Sequence, residues 1–179
     1  MPRLVLLNGP PGVGKSTLAA ALAQDSPLAL ALDVDTVKHA LGQCDQDPHA
    51  AGRRARDLAL AMAAAQLRAR GDVYVGQYLA RVEFIEALES LADAEDASFC
   101  EILLSIEAEA LRTRLALRGD APDRPEHVVN NRLVDPEDAE ALVASLEGLL
   151  TIRPRAVQVD ANGSLEQTLD RVRALLDAR

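Results

Sequence analysis

The sequence predicts an α/β fold in three layers, a five-stranded parallel sheet with helices on both faces. Three observations carry that expectation. Short apolar runs alternate with longer helical patterns, the order that builds a parallel sheet through right-handed crossovers. The runs lack apolar–polar alternation, as expected of strands covered on both faces. The first run also passes through a glycine-rich turn straight into a helix.

The first strand, Leu4–Leu7, precedes Asn8-Gly-Pro-Pro-Gly-Val-Gly-Lys-Ser-Thr17 and a helix over 15–25. The second, Leu28–Leu32, leaves through Asp33-Val-Asp-Thr-Val-Lys38 into a helix over 35–42. A long alanine-rich helix over 50–70 ends at Gly71, where a left-handed residue is wanted. The third strand, Val73–Val75, is followed by a helix over 81–93, and the fourth, Phe99–Ile106, by one over 107–118. From Gly119 to Pro125, Asp120, Pro122, Asp123 and Arg124 break the pattern, so a lid is expected over 118–132. Pro136 suits the start of a helix over 136–150. After the last strand, Ala156–Val159, Ser164 and Gln167 have capping-box spacing for a helix over 164–177. The chain of 179 residues is expected to form one domain, with no internal repeat and no Gly/Ser linker.

Composition narrows the function. Hydrophobic residues are 49% of the chain and aromatics only 2%, so Ala, Leu, Val and Ile must build the core. Few aromatics leave little to stack on single-stranded nucleic acid. A net charge of −9 repels nucleic-acid backbones and anionic membranes, which favours a small-molecule partner held at a local basic site. Cys44 and Cys100 stand apart, with no zinc-type spacing and no disulfide framework. No apolar run reaches the length of a membrane span, and Leu4–Leu7 is too short for a signal-peptide core. The expectation is a cytoplasmic chain, complete as it stands.

Gly9 to Ser16 reads G-x-x-x-x-G-K-S, the phosphate-binding loop or P-loop. Its glycines let successive backbone N–H groups converge on one concavity, where the helix N-terminus adds positive potential. Gly9, Pro10, Pro11, Gly12, Val13, Gly14, Lys15, Ser16 and Thr17 are therefore expected to hold nucleotide phosphates. Lys15 is expected to reach the β- and γ-phosphates, and Ser16 to ligate Mg²⁺. No Asn-Lys-x-Asp guanine reader occurs, which favours ATP. Motor ATPases need more chain and more motifs than are present.

With this loop, the 33–38 segment and the arginine-rich stretch 112–124, the chain resembles P-loop phosphotransferases of the nucleoside/shikimate-kinase-like superfamily. Chloramphenicol phosphotransferase, zeta-toxin kinases and polynucleotide kinases are similar in layout. The resemblance implies strand order 2-3-1-4-5 and transfer of the γ-phosphoryl group of ATP to a small-molecule hydroxyl, on an antibiotic, sugar nucleotide or nucleoside. It implies that Asp35 addresses the acceptor hydroxyl, although an aspartate there also suits a helix cap. Asp33 would face Mg²⁺ and the acceptor, or simply end a strand in solvent. Arg118 and Arg124 would be lid arginines neutralising charge on the transferred group, with Arg114 near the nucleotide and Arg112 solvated. Asn162 and Gly163 would lie near the adenine.

One departure stands out. Families of this kind often carry an acid at the end of the third strand, and here Gln77 stands in its place. Gln77 and Arg81 are read as acceptor-pocket residues. His39, His49 and His127 lack metal spacing and are read as surface residues. A gluconate- or shikimate-like acceptor is the alternative substrate class, with Arg53, Arg56 and Arg81 as its carboxylate partners. Arg54 accompanies these arginines at a solvated helix start. From another class, the alternative is an ATP-binding regulatory module with little transfer activity.

Overall fold

The computed structural model describes residues 1–120 and 134–178, the side chains of 118–120 excepted. Five strands form one sheet: β1 (Arg3–Asn8), β2 (Leu30–Leu32), β3 (Val73–Gln77), β4 (Ser98–Ser105) and β5 (Val157–Asp160). All pairings are parallel and the order is β2-β3-β1-β4-β5, as expected.

The helices are α1 (Lys15–Ala23), α2 (Val34–His39), α3 (Pro48–Arg68), α4 (Glu83–Ala94), α5 (Ala108–Asp120), α6 (Ala139–Glu147), α7 (Leu149–Ile152) and α8 (Leu165–Asp177). They lie on both faces of the sheet. Along β1, Leu4 and Leu6 join the core under α3 and α4, while Val5 and Leu7 join the core under α1 and α8. In β3, Val73 and Val75 face the first core and Tyr74 the second. Both sides of the central strands β1 and β3 are therefore apolar, while the edge strand β5 keeps Gln158 and Asp160 exposed. With few aromatics, α3 meets the sheet through Ala55, Ala59 and Ala63, one per turn and all fully buried.

Local chemistry corrects several sequence expectations. The left-handed residue closing α3 is Arg70 (φ 63), not Gly71. The Arg70 N–H donates to the Leu67 carbonyl and the Gly71 N–H to the Gln66 carbonyl, which is a Schellman closure. A Cβ on Gly71 would come within 2.0 Å of the Gln66 Nε2, the flexible end of a side chain that would have to move aside. Asp33, not Asp35, caps α2, accepting from the Asp35 and Thr36 N–H groups. The single helix expected over 136–150 is a 3₁₀ turn at Pro136–Asp138 followed by α6 and α7, which meet at Gly148. The capping box of Ser164 and Gln167 forms as read. The expected lid beyond Asp120, with Arg124, lies outside the described residues, as do the side chain of Arg118 and all of His127.

Candidate active site

The phosphate loop is anchored from below. Asn8 ends β1 fully buried, and its amide satisfies three backbone groups. Its Oδ1 accepts from the Gly9 N–H at 2.8 Å and the Leu79 N–H at 2.9 Å, while Nδ2 donates to the Leu79 carbonyl at 2.9 Å. Asn8 therefore ties the start of the loop to the exit of β3. Gly76 supports it from the side, since a Cβ there would lie 3.0 Å from the backbone carbon and oxygen of Lys15. Gly12 (φ 87) and Gly14 (φ 104) adopt left-handed conformations that L side chains rarely enter. α1 begins at Lys15, so its first-turn amides open into the loop. The Pro10 carbonyl accepts from both Lys15 Nζ (2.8 Å) and the Val13 N–H (3.3 Å). Thr17 is exposed on the first turn of α1, Ser16 half-buried beside it.

The exit of β2 meets this loop. Ser16 Oγ donates to Asp33 Oδ2 at 2.5 Å, while Asp33 Oδ1 caps α2. One carboxylate thus links the loop serine to the helix that carries Asp35. Asp35 is held above its ordinary pKa, first by burial and second by the Asp33 charge. Lys15, Lys38 and His39 act on it in the opposite sense, which sets the loop lysine close to this carboxylate. Gln77 pairs in register with Asn8, and its Oε1 is buried with no hydrogen-bond partner among the described residues. Arg81 is exposed and lines neither cleft described below.

On the other side of the loop, Arg114 of α5 joins three segments. Its guanidinium donates to the carbonyls of Val13 (3.3 Å), Ala161 (2.8 Å) and Gly163 (2.6 Å). Burial pulls its pKa below the usual guanidinium range, and the group stays charged there regardless. Asn162 is exposed, and its Oδ1 accepts from the Glu107 N–H. Arg114 thus ties the 161–163 turn to the Val13 carbonyl of the phosphate loop.

Two clefts border this region, one at the end of β4 and one between α2 and α3. One, of about 460 Å³, runs from Pro10 along Leu103–Glu107 to Val143, Leu146 and Leu150. The other, of about 510 Å³, lies between the end of α2 and the start of α3 and includes Arg53, Arg54, Asp47 and Asp57. Of the arginines proposed for a carboxylate, Arg53 lines that cleft and Arg56 and Arg81 do not. Asn8, Gly76 and His39 were missed by sequence reasoning. An asparagine or glycine inside an apolar strand was the one available signal for the first two. For His39 there was none.

No helix among the described residues is long and apolar enough to cross a membrane. No curated protein matches the chain significantly. Among solved structures, a gluconokinase from Sinorhizobium meliloti is similar at TM-score 0.61 and 18% identity, over 98% of this chain and 95% of that one. The Deinococcus radiodurans tunicamycin resistance protein is similar at TM-score 0.63 and 16% identity, over 99% and 96%. At such identities the likeness speaks for the fold, that of P-loop kinases. The model of the AAA_33 family, an AAA domain, matches residues 4–138. The chain belongs to the AAA_33 family of AAA domains.

Proposed function

We propose that the chain is an ATP-dependent phosphotransferase that moves the γ-phosphoryl group of ATP to a hydroxyl of a small-molecule acceptor. The observation that carries this reading is the convergence of Lys15, Ser16, Asp33 and Asp35 at the strand ends. A loop that only binds nucleotide has no use for a second, half-buried carboxylate beside its lysine. In the proposed reaction the acceptor oxygen bonds to the γ-phosphorus and the bond to the β–γ bridging oxygen breaks. ADP leaves, and the acceptor proton passes to Asp35. A carboxylate raised by burial is a better base than a solvated one, and it must be ionised to act. Lys15 leaves the Pro10 carbonyl for the phosphates, and the loop amides hold them. Most of the rate would come from positioning and electrostatics.

The residues also fit Mg²⁺. Ser16 and Asp33 offer a hydroxyl and a carboxylate, hard oxygens suited to an ion that keeps most of its waters. This pair would do from β2 what an acid at the end of β3 does in related families. Bound Mg²⁺ would neutralise phosphate charge. Arg114, with the carbonyls of 161–163, is proposed to border the adenine, and Arg118 and Arg124 to act from the lid. A sugar-acid acceptor of gluconate type is a second reading of the substrate, favoured by Arg53 and Arg54 in the α2–α3 cleft and by the fold shared with a gluconokinase.

The test is a transfer screen. Protein and Mg-ATP are mixed with pooled antibiotics, sugar nucleotides, nucleosides and sugar acids, and products are read by mass spectrometry. The expected outcome is one acceptor gaining one phosphoryl group, with the signal lost in Asp35→Asn while ATP affinity holds. Tight ATP binding with no product from the panel would instead favour a regulatory nucleotide-binding module.

A further inference from the structure

Asp33 is shared between two elements that lie apart in the chain. Its Oδ2 accepts from Ser16 Oγ of the phosphate loop at 2.5 Å. Its Oδ1 accepts from the backbone N–H groups of Asp35 at 2.9 Å and Thr36 at 3.3 Å, which caps α2. Ser16 and Asp35 are thus joined through one planar group. The bonds on its two sides are not independent. A carboxylate turns as a unit about one soft torsion, so a partner that fixes one oxygen fixes the plane in which the other meets its donors. Asp47 caps α3 through the Ala50 N–H at 2.9 Å and has no such tie to the phosphate loop among the described residues.

α2 depends on that cap. It has six residues, too few to hold a helix by its own backbone bonds. Val34 is buried and Val37 half-buried against the core under α3, which fixes one side of the helix. Its N-terminus is held by Asp33 Oδ1, and the shorter of those two bonds goes to the backbone of Asp35 itself. Ser16 stands in the first turn of α1, where the phosphates and Mg²⁺ of the proposed reaction arrive. Whatever engages the Ser16 hydroxyl therefore acts on the carboxylate that orients Asp35.

We propose that Asp33 is a positioning residue, which passes the state of the phosphate loop to α2 and sets Asp35 in place once Mg-ATP is bound. This role rests on the phosphotransferase reading above and deepens it, since nucleotide then prepares the site for the acceptor. In the empty loop the partner of Oδ2 is the Ser16 hydroxyl. In the loaded loop the same oxygen has a cation to partner, and an ionic partner holds a carboxylate more firmly than a hydroxyl does. The cap at Oδ1 tightens with it, and the backbone of Asp35 is fixed. An empty loop leaves α2 looser, so the base is not set until there is a phosphoryl group to transfer.

The test follows amide hydrogen exchange at Asp35 and Thr36 by NMR in the full ¹⁵N-labelled chain. The probe is the non-hydrolysable β,γ-imido analogue of ATP at saturation, with Mg²⁺ or with EDTA, and no acceptor is added. With Mg²⁺ both amides should slow about tenfold relative to Ala50, the worth of one cap. Ala50, capped by Asp47, is the internal reference. With EDTA the slowing should be absent. Asp33→Asn keeps a cap of equal quality but turns an amide NH₂ toward Ser16, which cannot hold a cation. Its α2 amides should slow by less than about twofold at saturating analogue. Ser16→Ala should behave likewise, and Ser16→Thr, which restores the hydroxyl, should recover the parent's response. The proposal is overturned if loading leaves α2 exchange unchanged, if Ala50 slows as much, or if slowing persists with EDTA or in Asp33→Asn. Should a variant fail to bind the analogue, the comparison of Mg²⁺ with EDTA on the parent decides alone. Exchange is read without acceptor, so the two readings fail separately. Slowed α2 amides with no product in the transfer screen sink the phosphotransferase and leave the coupling standing. A phosphorylated product with unslowed amides does the reverse.

Discussion

The two sides of the strand ends are built on opposite principles. Around Lys15, backbone groups have assigned partners: Asn8 holds Gly9 and Leu79, the Pro10 carbonyl holds Lys15 and Val13, and Arg114 holds Val13, Ala161 and Gly163. Around α2, Gln77 Oε1 and His39 Nε2 are buried without a partner among the described residues, burial and the Asp33 charge hold the Asp35 carboxyl above its usual pKa, and a charged cleft lies between the end of α2 and the start of α3. A phosphate chain is the same in every nucleotide, so its cradle can be rigid and fully satisfied. An acceptor is particular to each enzyme, and its site keeps polar groups in reserve for a ligand to complete. The first region spends its polar atoms on stability. The second holds them for recognition.

Substitutions on each side should therefore fail differently. The largest effect is expected from Asp35→Asn, which should lower turnover by about 10²- to 10⁴-fold, the usual range for a general base. The same change should raise the melting temperature at pH 7. An acid whose folded pKa lies above its ordinary 3.8 favours the folded state below that value, and the advantage is lost as pH rises through the folded pKa. Melting curves from pH 3 to pH 7 would show the variant gaining on the parent as pH rises. A variant that melts lower throughout would mean that Asp35 is a structural residue.

Asn8→Ala should do the opposite, costing stability first. It strands the Gly9 and Leu79 N–H groups and the Leu79 carbonyl in a buried site, a penalty of about 3 kcal/mol or more. A urea midpoint shift smaller than about 1 kcal/mol would show that the loop is not held from below. Gly76→Ala should cost less, about 1–3 kcal/mol, as α1 backs away from β3, and should weaken ATP more than any acceptor. Calorimetric titration of each ligand would check this. Equal weakening of both would blur the distinction between the two regions.

How much was legible beforehand follows the same division. The phosphate loop could be read because its glycines, lysine and serine are set by local backbone geometry at fixed spacing. The sheet could be read because its central strands show their double burial as unbroken apolar runs. The α2 region was read only in part. Asp33 and Asp35 were noticed, but the cap was offered to Asp35 rather than Asp33, because α2 starts at Val34 and a shift of one or two residues is finer than side-chain patterns resolve. His39 was set aside as a surface residue, since nothing in its neighbours along the chain marks it.

The sequence by itself determined the order of strands and helices, the apolar filling of both faces and the chemistry of the Gly9–Ser16 loop. These are properties of residues near one another in the chain, where periodicity and backbone sterics decide the outcome. Only the tertiary structure decided that Asp33 meets Ser16, that Asn8 holds Leu79, and that Arg114 gathers three carbonyls. Each of these unites segments far apart in sequence. A hydrogen bond depends on distance and direction to within a few tenths of an ångström, and only the packed fold sets both.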